Sequence, residues 1–335
     1  MDFRTTFDVK PFPQRITYGQ KILLSGSCFT EHITKYLADS KFTALGNPNG
    51  ILFNPISISS SIVSYIEQKT YSKEELFYFN ERWNSWDHHS RFSNPEADVA
   101  LQEINHSQIQ SHHLLQSADW LIITLGSAFV YEWVGNDALL YGAHRSSDVV
   151  ANCHKVPSDK FRKRLLMVEE VLTALDHLMH RIFIFNPKIK IIFTISPVRH
   201  LRDGLVENNK SKAVLIQAVH HIVEKFAKLF YFPGYELVID DLRDYRFFTE
   251  DMVHPNHTAT DYVWEKFTSA CIDPSAYTLM KEMQKINTAM HHRPFNVTSA
   301  AHQQFLKTNF SKVQELQLQY PQVDFSEELQ YFTIK

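Results

Sequence analysis

Short apolar runs bounded by turn residues alternate along this chain with longer segments in which apolar positions recur every three or four residues. The first kind of run reads as a buried strand, the second as a helix with one apolar face. On this pattern strands are predicted at 21–25, 42–45, 120–125, 190–195 and 235–239, and helices at 30–39, 56–68, 97–116, 158–184, 210–230 and 258–271. Strand, helix, strand in repetition defines an α/β protein with a mostly parallel sheet covered by helices. From about position 293 the pattern turns polar and helical (AHQQFLKTNFSKVQELQLQY), which divides the chain into a body, 1–292, and a C-terminal helical appendage, 293–335. No internal repeat and no Gly/Ser-rich linker interrupts the body.

In an open parallel sheet the ligand lies beyond the carboxyl ends of the strands, so the residues just past each predicted strand are where chemistry belongs. The first strand runs into Gly26-Ser27-Cys28, the second into Gly46-Asn47-Pro48-Asn49-Gly50, the third into Gly126-Ser127, the fourth into Ser196-Pro197-Val198-Arg199-His200. Past the fifth lies LRDYRFFTEDMVHPNH, with Asp251 and His254. In KILLSGSCFTEHI a hydroxyl and a thiol share one strand-to-helix turn. Unpaired N–H groups at a helix tip favour a thiolate and would also bind an oxyanion. The plainer alternative is that Ser27 caps the helix and Cys28 packs as a small hydrophobe. Asp251 stands three residues before His254, where its carboxylate can take the imidazole N–H and leave the other ring nitrogen free to accept a proton from a nucleophile. Alternatively, Asp251 only caps a turn.

Composition narrows the classes. The 335 residues are 44% hydrophobic, enough for a full core without disulfides. Lys and Arg number 34 against 37 Asp and Glu, a net charge of −3 without long single-sign blocks, which argues against nucleic acid or an anionic membrane as partner. No apolar run reaches the roughly 20 residues of a membrane span, so no membrane insertion is expected. The start, MDFRTTFDVKPFPQ, has no apolar stretch of a secretory signal, and the cytoplasm is the expected location. Cys28, Cys153 and Cys271 are odd in number and far apart, as reduced thiols would be. Eighteen histidines invite a metal site, but His88-His89, His112-His113, His220-His221 and His291-His292 are adjacent pairs whose rings diverge, and no H-E-x-x-H or C-x-x-C occurs. Neither a metal nor a nucleotide cofactor is expected. The aromatic cluster WNSWDHHSRF reads more naturally as a loop folded over the core than as a sugar platform.

The segments SGSCFTEHI, NPNGILFNP, TLGSAFVYEW, NCHKVP, SPVRHLRDG and YFPGYELVIDDLRDYRFFTEDMVHPNH resemble the GSCFA domain family, placed in the SGNH (GDSL-like) hydrolase superfamily. The resemblance covers about 19–267. It implies a flavodoxin-like three-layer α/β/α fold and an ester hydrolase or O-acyltransferase acting on a small-molecule or glycan ester. Laying the superfamily's G-D-S-L pattern on Gly26 to Phe29 puts Cys28 at the nucleophile position, with Ser27 as rival; D-x-x-H maps onto Asp251 and His254. The oxyanion glycine maps onto Gly50, with Gly46 as the alternative. The superfamily's oxyanion Asn is absent after Gly126, which leaves Ser127, Asn54 and Asn152 as substitutes, and His154 with Lys155 as possible binders of a substrate anion. That absence keeps a non-catalytic binding module open as the alternative.

Overall fold

The computed structural model describes Thr5 and residues 8–135 and 148–333; most of the first seven residues, part of the stretch weighed above as a signal, lie outside them. Five parallel strands form the central sheet: β1 (Lys21–Gly26), β2 (Thr43–Gly46), β5 (Trp120–Leu125), β9 (Lys190–Ile195) and β10 (Leu229–Phe232), in the order β10-β9-β5-β1-β2. The period-two rule of a strand sorts their side chains. Ile22, Leu24, Trp120 and Ile122 face one layer with Phe29, Ile33 and Phe267, whereas Leu23, Leu121, Ile123 and Leu125 face the other with Ile62, Leu175 and Val219. Each such side chain is fully or almost fully buried, stabilising the fold by roughly 1.5 to 3 kcal/mol.

The helices α1 (Cys28–Asp39), α2 (Pro55–Ile66), α3 (Ala97–Ser117), α4 (Val168–Phe185), α5 (Leu205–Lys225) and α6 (His257–Cys271) cover both faces, completing three α/β/α layers. From β1 the chain crosses to β2 on one side and then returns through α2 and α3 to β5 on the other. The order therefore reverses at the carboxyl ends of β1 and β5, where such folds leave a crevice.

A short hairpin, β3 (Phe77–Phe79) with β4 (Arg82–Asn84), and a three-stranded antiparallel sheet of β6 (Phe129–Trp133), β7 (Val149–Val150) and β8 (Phe161–Leu165) are added above those ends. In WNSWDHHSRF, Trp86 is buried and stacks on Phe77 at 3.9 Å, so that cluster is core. Helices α7 (Tyr277–Met290), α8 (Ala300–Gln319) and α9 (Ser326–Phe332) share a core of Leu279, Met283, Val313, Leu316, Phe325 and Phe332, and dock on the body through Tyr18 and the Lys41–Glu328 ion pair.

Three expected elements differ. The strand expected at 235–239 is instead a helical turn, Gly234–Glu236, followed by a π-helical turn, Leu237–Leu242. The true edge strand is LFYF just before it, which the helix expected at 210–230 had absorbed; α5 ends at Lys225. Pro233 marks the strand's end, since it has no N–H to continue a ladder. The helix expected at 158–184 splits into a 3-10 turn, β8 and α4. In β8, Arg162 and Arg164 both grip Glu132 on β6 at 2.6 to 2.8 Å, a strand whose alternating face is charged rather than apolar. Among the described residues no helix is long and apolar enough to cross a membrane.

Candidate active site at the carboxyl ends of the strands

Gly26 ends β1 at φ +152°, and a Cβ there would stand 2.2 Å from the Thr124 carbonyl oxygen, so only glycine allows β1 and β5 to approach at the turn. The turn is fixed by Gly26 N–H donating to Asn47 Oδ1 at 2.9 Å and Ser27 N–H to Thr124 O at 3.2 Å. Ser27 occupies the N-cap position of α1 but its hydroxyl makes no capping bond; Cys28 is the first helical residue and is half-buried. Burial pushes the Cys28 thiol up, with Glu31 adding to it, and the N–H groups of the helix tip and Lys212 oppose this only in part. The thiolate expected from the helix N-terminus alone is therefore not favoured in the resting site, because desolvation outweighs the local dipole.

Asp251 and His254 are joined as the sequence suggested. His254 Nδ1 lies 2.7 Å from Asp251 Oδ2, while Asp251 Oδ1 accepts from Thr249 Oγ1 at 2.6 Å, Val253 N–H at 2.8 Å and His254 N–H at 3.0 Å. Those donors, led by Thr249, hold the carboxyl far below the ordinary range, so it stays an anion that orients the imidazole. His254 lies close enough to influence both His32 and His200. His32 is one helical turn beyond Cys28 on the same face of α1. No hydrogen bond joins His254 to Cys28 or Ser27 among the described residues; the ring is half-exposed.

Three of the four expected oxyanion donors, Gly50, Ser127 and Asn54, are already engaged, Asn54 Nδ2 by Ser57 Oγ at 2.9 Å. Gly50 N–H donates to Asn47 O at 2.7 Å. Ser127 donates its N–H to Phe53 O at 3.0 Å, and its hydroxyl lies 3.2 Å from Ser211 Oγ and accepts from Phe129 N–H at 3.1 Å. Asn54 caps α2 through Ser57 N–H at 2.8 Å, and Asn152 closes its own turn on His154 N–H at 2.8 Å. His154 is buried against Phe77 and Trp86 with Nε2 2.8 Å from Ser85 O, and burial lowers its pKa to about 4, so it is a neutral core histidine rather than an anion ligand.

Two groups that the sequence did not single out are present instead. A Cβ placed on Gly126 would stand 3.4 Å from both Ser27 Cβ and His200 Nε2, so the His200 ring sits at the nucleophile turn. Burial, with Lys212 and His254 nearby, lowers its pKa to about 4, and Nε2 is buried without a protein partner among the described residues, as are Ser27 Oγ and Asn47 Nδ2. Such orphans cost about 1 to 3 kcal/mol each unless something binds them. Lys212 on α5 is fully buried and donates to Gly126 O at 2.6 Å and Ser196 O at 2.7 Å, bridging the ends of β5 and β9. It belongs to the inward stripe Asn208, Ser211, Leu215, Ala218, Val219 and Ile222, and that 3.6-residue spacing was the signal available in the sequence.

Beside the turn opens a cleft of about 850 Å³ bordered by Phe53, Ser127, His200 and Val253. A larger hollow of about 1090 Å³ lies between α1, α6 and α7, and no strand end lines it. Among the described residues no three His, Cys, Asp or Glu side chains gather as a metal site would require, and all three cysteines are free thiols.

The central sheet carries helices on both faces in three α/β/α layers. The chain belongs to the GSCFA family, whose model matches residues 21–267, and the model of the GSCFA domain protein C-terminal domain matches 283–335. No curated protein matches it. Solved structures that the chain matches include a Clostridium thermocellum family 3 carbohydrate esterase (11% identity, 79% of this chain and 98% of that one, TM-score 0.36). They also include a family 3 carbohydrate esterase from Talaromyces cellulolyticus (9% identity, 78% and 99% covered, TM-score 0.36). An acetyl xylan esterase from the rumen bacterium Butyrivibrio proteoclasticus matches at 11% identity, with 82% and 65% covered and a TM-score of 0.36.

Proposed function

We propose that the chain is an ester hydrolase in which Cys28 is the nucleophile and His254, oriented by Asp251, is the general base. The observation that supports this reading is the Asp251–His254 pair, with Nδ1 committed to the carboxylate and Nε2 left to exchange a proton. His254 Nε2 takes the thiol proton as Sγ attacks the acyl carbonyl, and returns it to the alkoxide as the C–O bond breaks. Water, deprotonated by the same imidazole, then cleaves the thioester to release the acid. Because the thiol is raised by burial, proton removal is coupled to attack rather than completed beforehand. Transfer to another alcohol follows the same course with a different acceptor.

The oxyanion requires donors, and the sequence-matched Gly50 has spent its N–H. Cys28 N–H at the helix tip and the unpartnered Nε2 of a neutral His200 fit the role, the imidazole standing in for the missing Asn as a donor that carries no charge of its own. The test is p-nitrophenyl acetate turnover after treatment with two reagents. Iodoacetamide should abolish it and a phosphonate serine reagent should spare it; the reverse pattern moves the nucleophile to Ser27, and no turnover in folded protein favours the binding module.

A further inference from the structure

Resting on that reading, we infer that the cleft bordered by Ser127, His200 and Val253 holds the alcohol part of the substrate as a sugar bearing a carboxylate or phosphate. At about 850 Å³ the cleft is far larger than a small acyl group needs and falls in the range that takes a ring-sized ligand. Phe53, Phe129, Tyr131 and Phe161 give it apolar ring faces of the kind that pack against a sugar.

Its charge is lopsided. Among the described residues, Lys155, Lys163, Arg199 and Arg202 line it against a single carboxylate, Asp203, which is committed to Lys163. Lys155, Arg199 and Arg202 make no ion pair among the described residues, although the whole chain carries a net charge of −3. Four cations gathered around one cavity of an acidic protein repel each other and weaken the fold, and an anionic ligand relieves that cost. The Arg199 guanidinium lies 4.1 Å from the Phe248 ring centre and 5.0 Å from that of Tyr245, and the Arg199 backbone N–H donates to Val253 O, next to His254. Burial pushes the Cys153 thiol up to about 11, and Arg202 lies near enough to oppose this in part. The cationic wall is thus joined through one backbone bond to the loop that carries the base. Planar guanidinium groups recognise carboxylate and phosphate alike.

Three acetylated sugars separate the outcomes: O-acetyl glucose, O-acetyl galacturonate and O-acetyl glucose 6-phosphate. At low ionic strength kcat/KM for one or both charged substrates should exceed that for the neutral one by about tenfold or more, the size of one charge-assisted hydrogen bond. The preference should shrink with added salt. It should vanish in the double variant Lys155→Gln, Arg202→Gln, which should keep wild-type turnover of p-nitrophenyl acetate. The better of the two charged substrates tells carboxylate from phosphate. Equal kcat/KM for all three sugars, or a preference that survives the double variant, overturns the inference. Titrations with unacetylated glucose, galacturonate and glucose 6-phosphate, followed by NMR, separate this failure from that of the hydrolase reading. Anion-selective binding lost in the double variant upholds the subsite even where no ester is cleaved, and equal binding of all three refutes it.

Discussion

Replacing His254 with alanine lowers p-nitrophenyl acetate turnover by about 10²- to 10⁴-fold, the range contributed by a positioned general base, while the circular dichroism spectrum stays that of wild type. The imidazole is half-exposed and lies outside both main cores, so its removal leaves no cavity to destabilise the sheet. The loss falls in kcat, because the proton transfer belongs to the transition state rather than to binding. Asp251→Asn tests the same geometry from behind the ring. The amide can offer N–H where the carboxylate accepts from His254 Nδ1, and this favours the wrong tautomer and lowers kcat in turn. Equal rates for wild type and His254→Ala, both folded, would remove the dyad from the reaction.

The second large effect is on stability and belongs to Lys212. Desolvation lowers its pKa from 10.5 to about 7, with the nearby Cys28 opposing the shift. The sign follows from where the proton is held. Between pH 7 and 10.5 the unfolded chain keeps the proton that the folded chain gives up, so unfolding takes up a proton and stability rises with pH. The cost of burying the ammonium is fully present below about pH 7 and is gone near pH 10.5, with a limiting slope of about 1.4 kcal/mol per pH unit. Urea unfolding from pH 7 to 9.5 should therefore show wild type gaining stability relative to Lys212→Met. Parallel curves for the two proteins would show that the amine titrates normally. The comparison isolates the slope, since methionine also leaves the Gly126 and Ser196 carbonyls without their donor at every pH.

What the sequence revealed was what short stretches encode by themselves. KILLSG announces a buried strand because its apolar run is bounded by a turn, and Gly26-Ser27-Cys28 at its end marks the switch point where β1 and β5 part. Asp251 and His254 were legible because three residues of one turn suffice to bring a carboxylate to an imidazole. The edge strand LFYF was lost because its apolar residues continue the helical run of α5, and β8 was lost because its alternation is carried by Arg162 and Arg164, whose partner Glu132 lies on another strand. The same reason hides the rest of the site. That Gly50 N–H is consumed, that His200 reaches Gly126, and that Lys212 ties β5 to β9 are all facts of pairing across the fold. The elevated thiol of Cys28 is another, since the helix tip is local but the burial that outweighs it comes from the packing of several elements.

The central claim is that an acyl group passes through the tip of α1. Acid-quenching the enzyme during p-nitrophenyl acetate turnover and mapping its peptides by mass spectrometry reads this directly. The account predicts an acetyl thioester on Cys28, removed by hydroxylamine and absent from His254→Ala. Steady turnover with no acyl group on that turn, or acetylation spread over surface lysines and unchanged in His254→Ala, contradicts it.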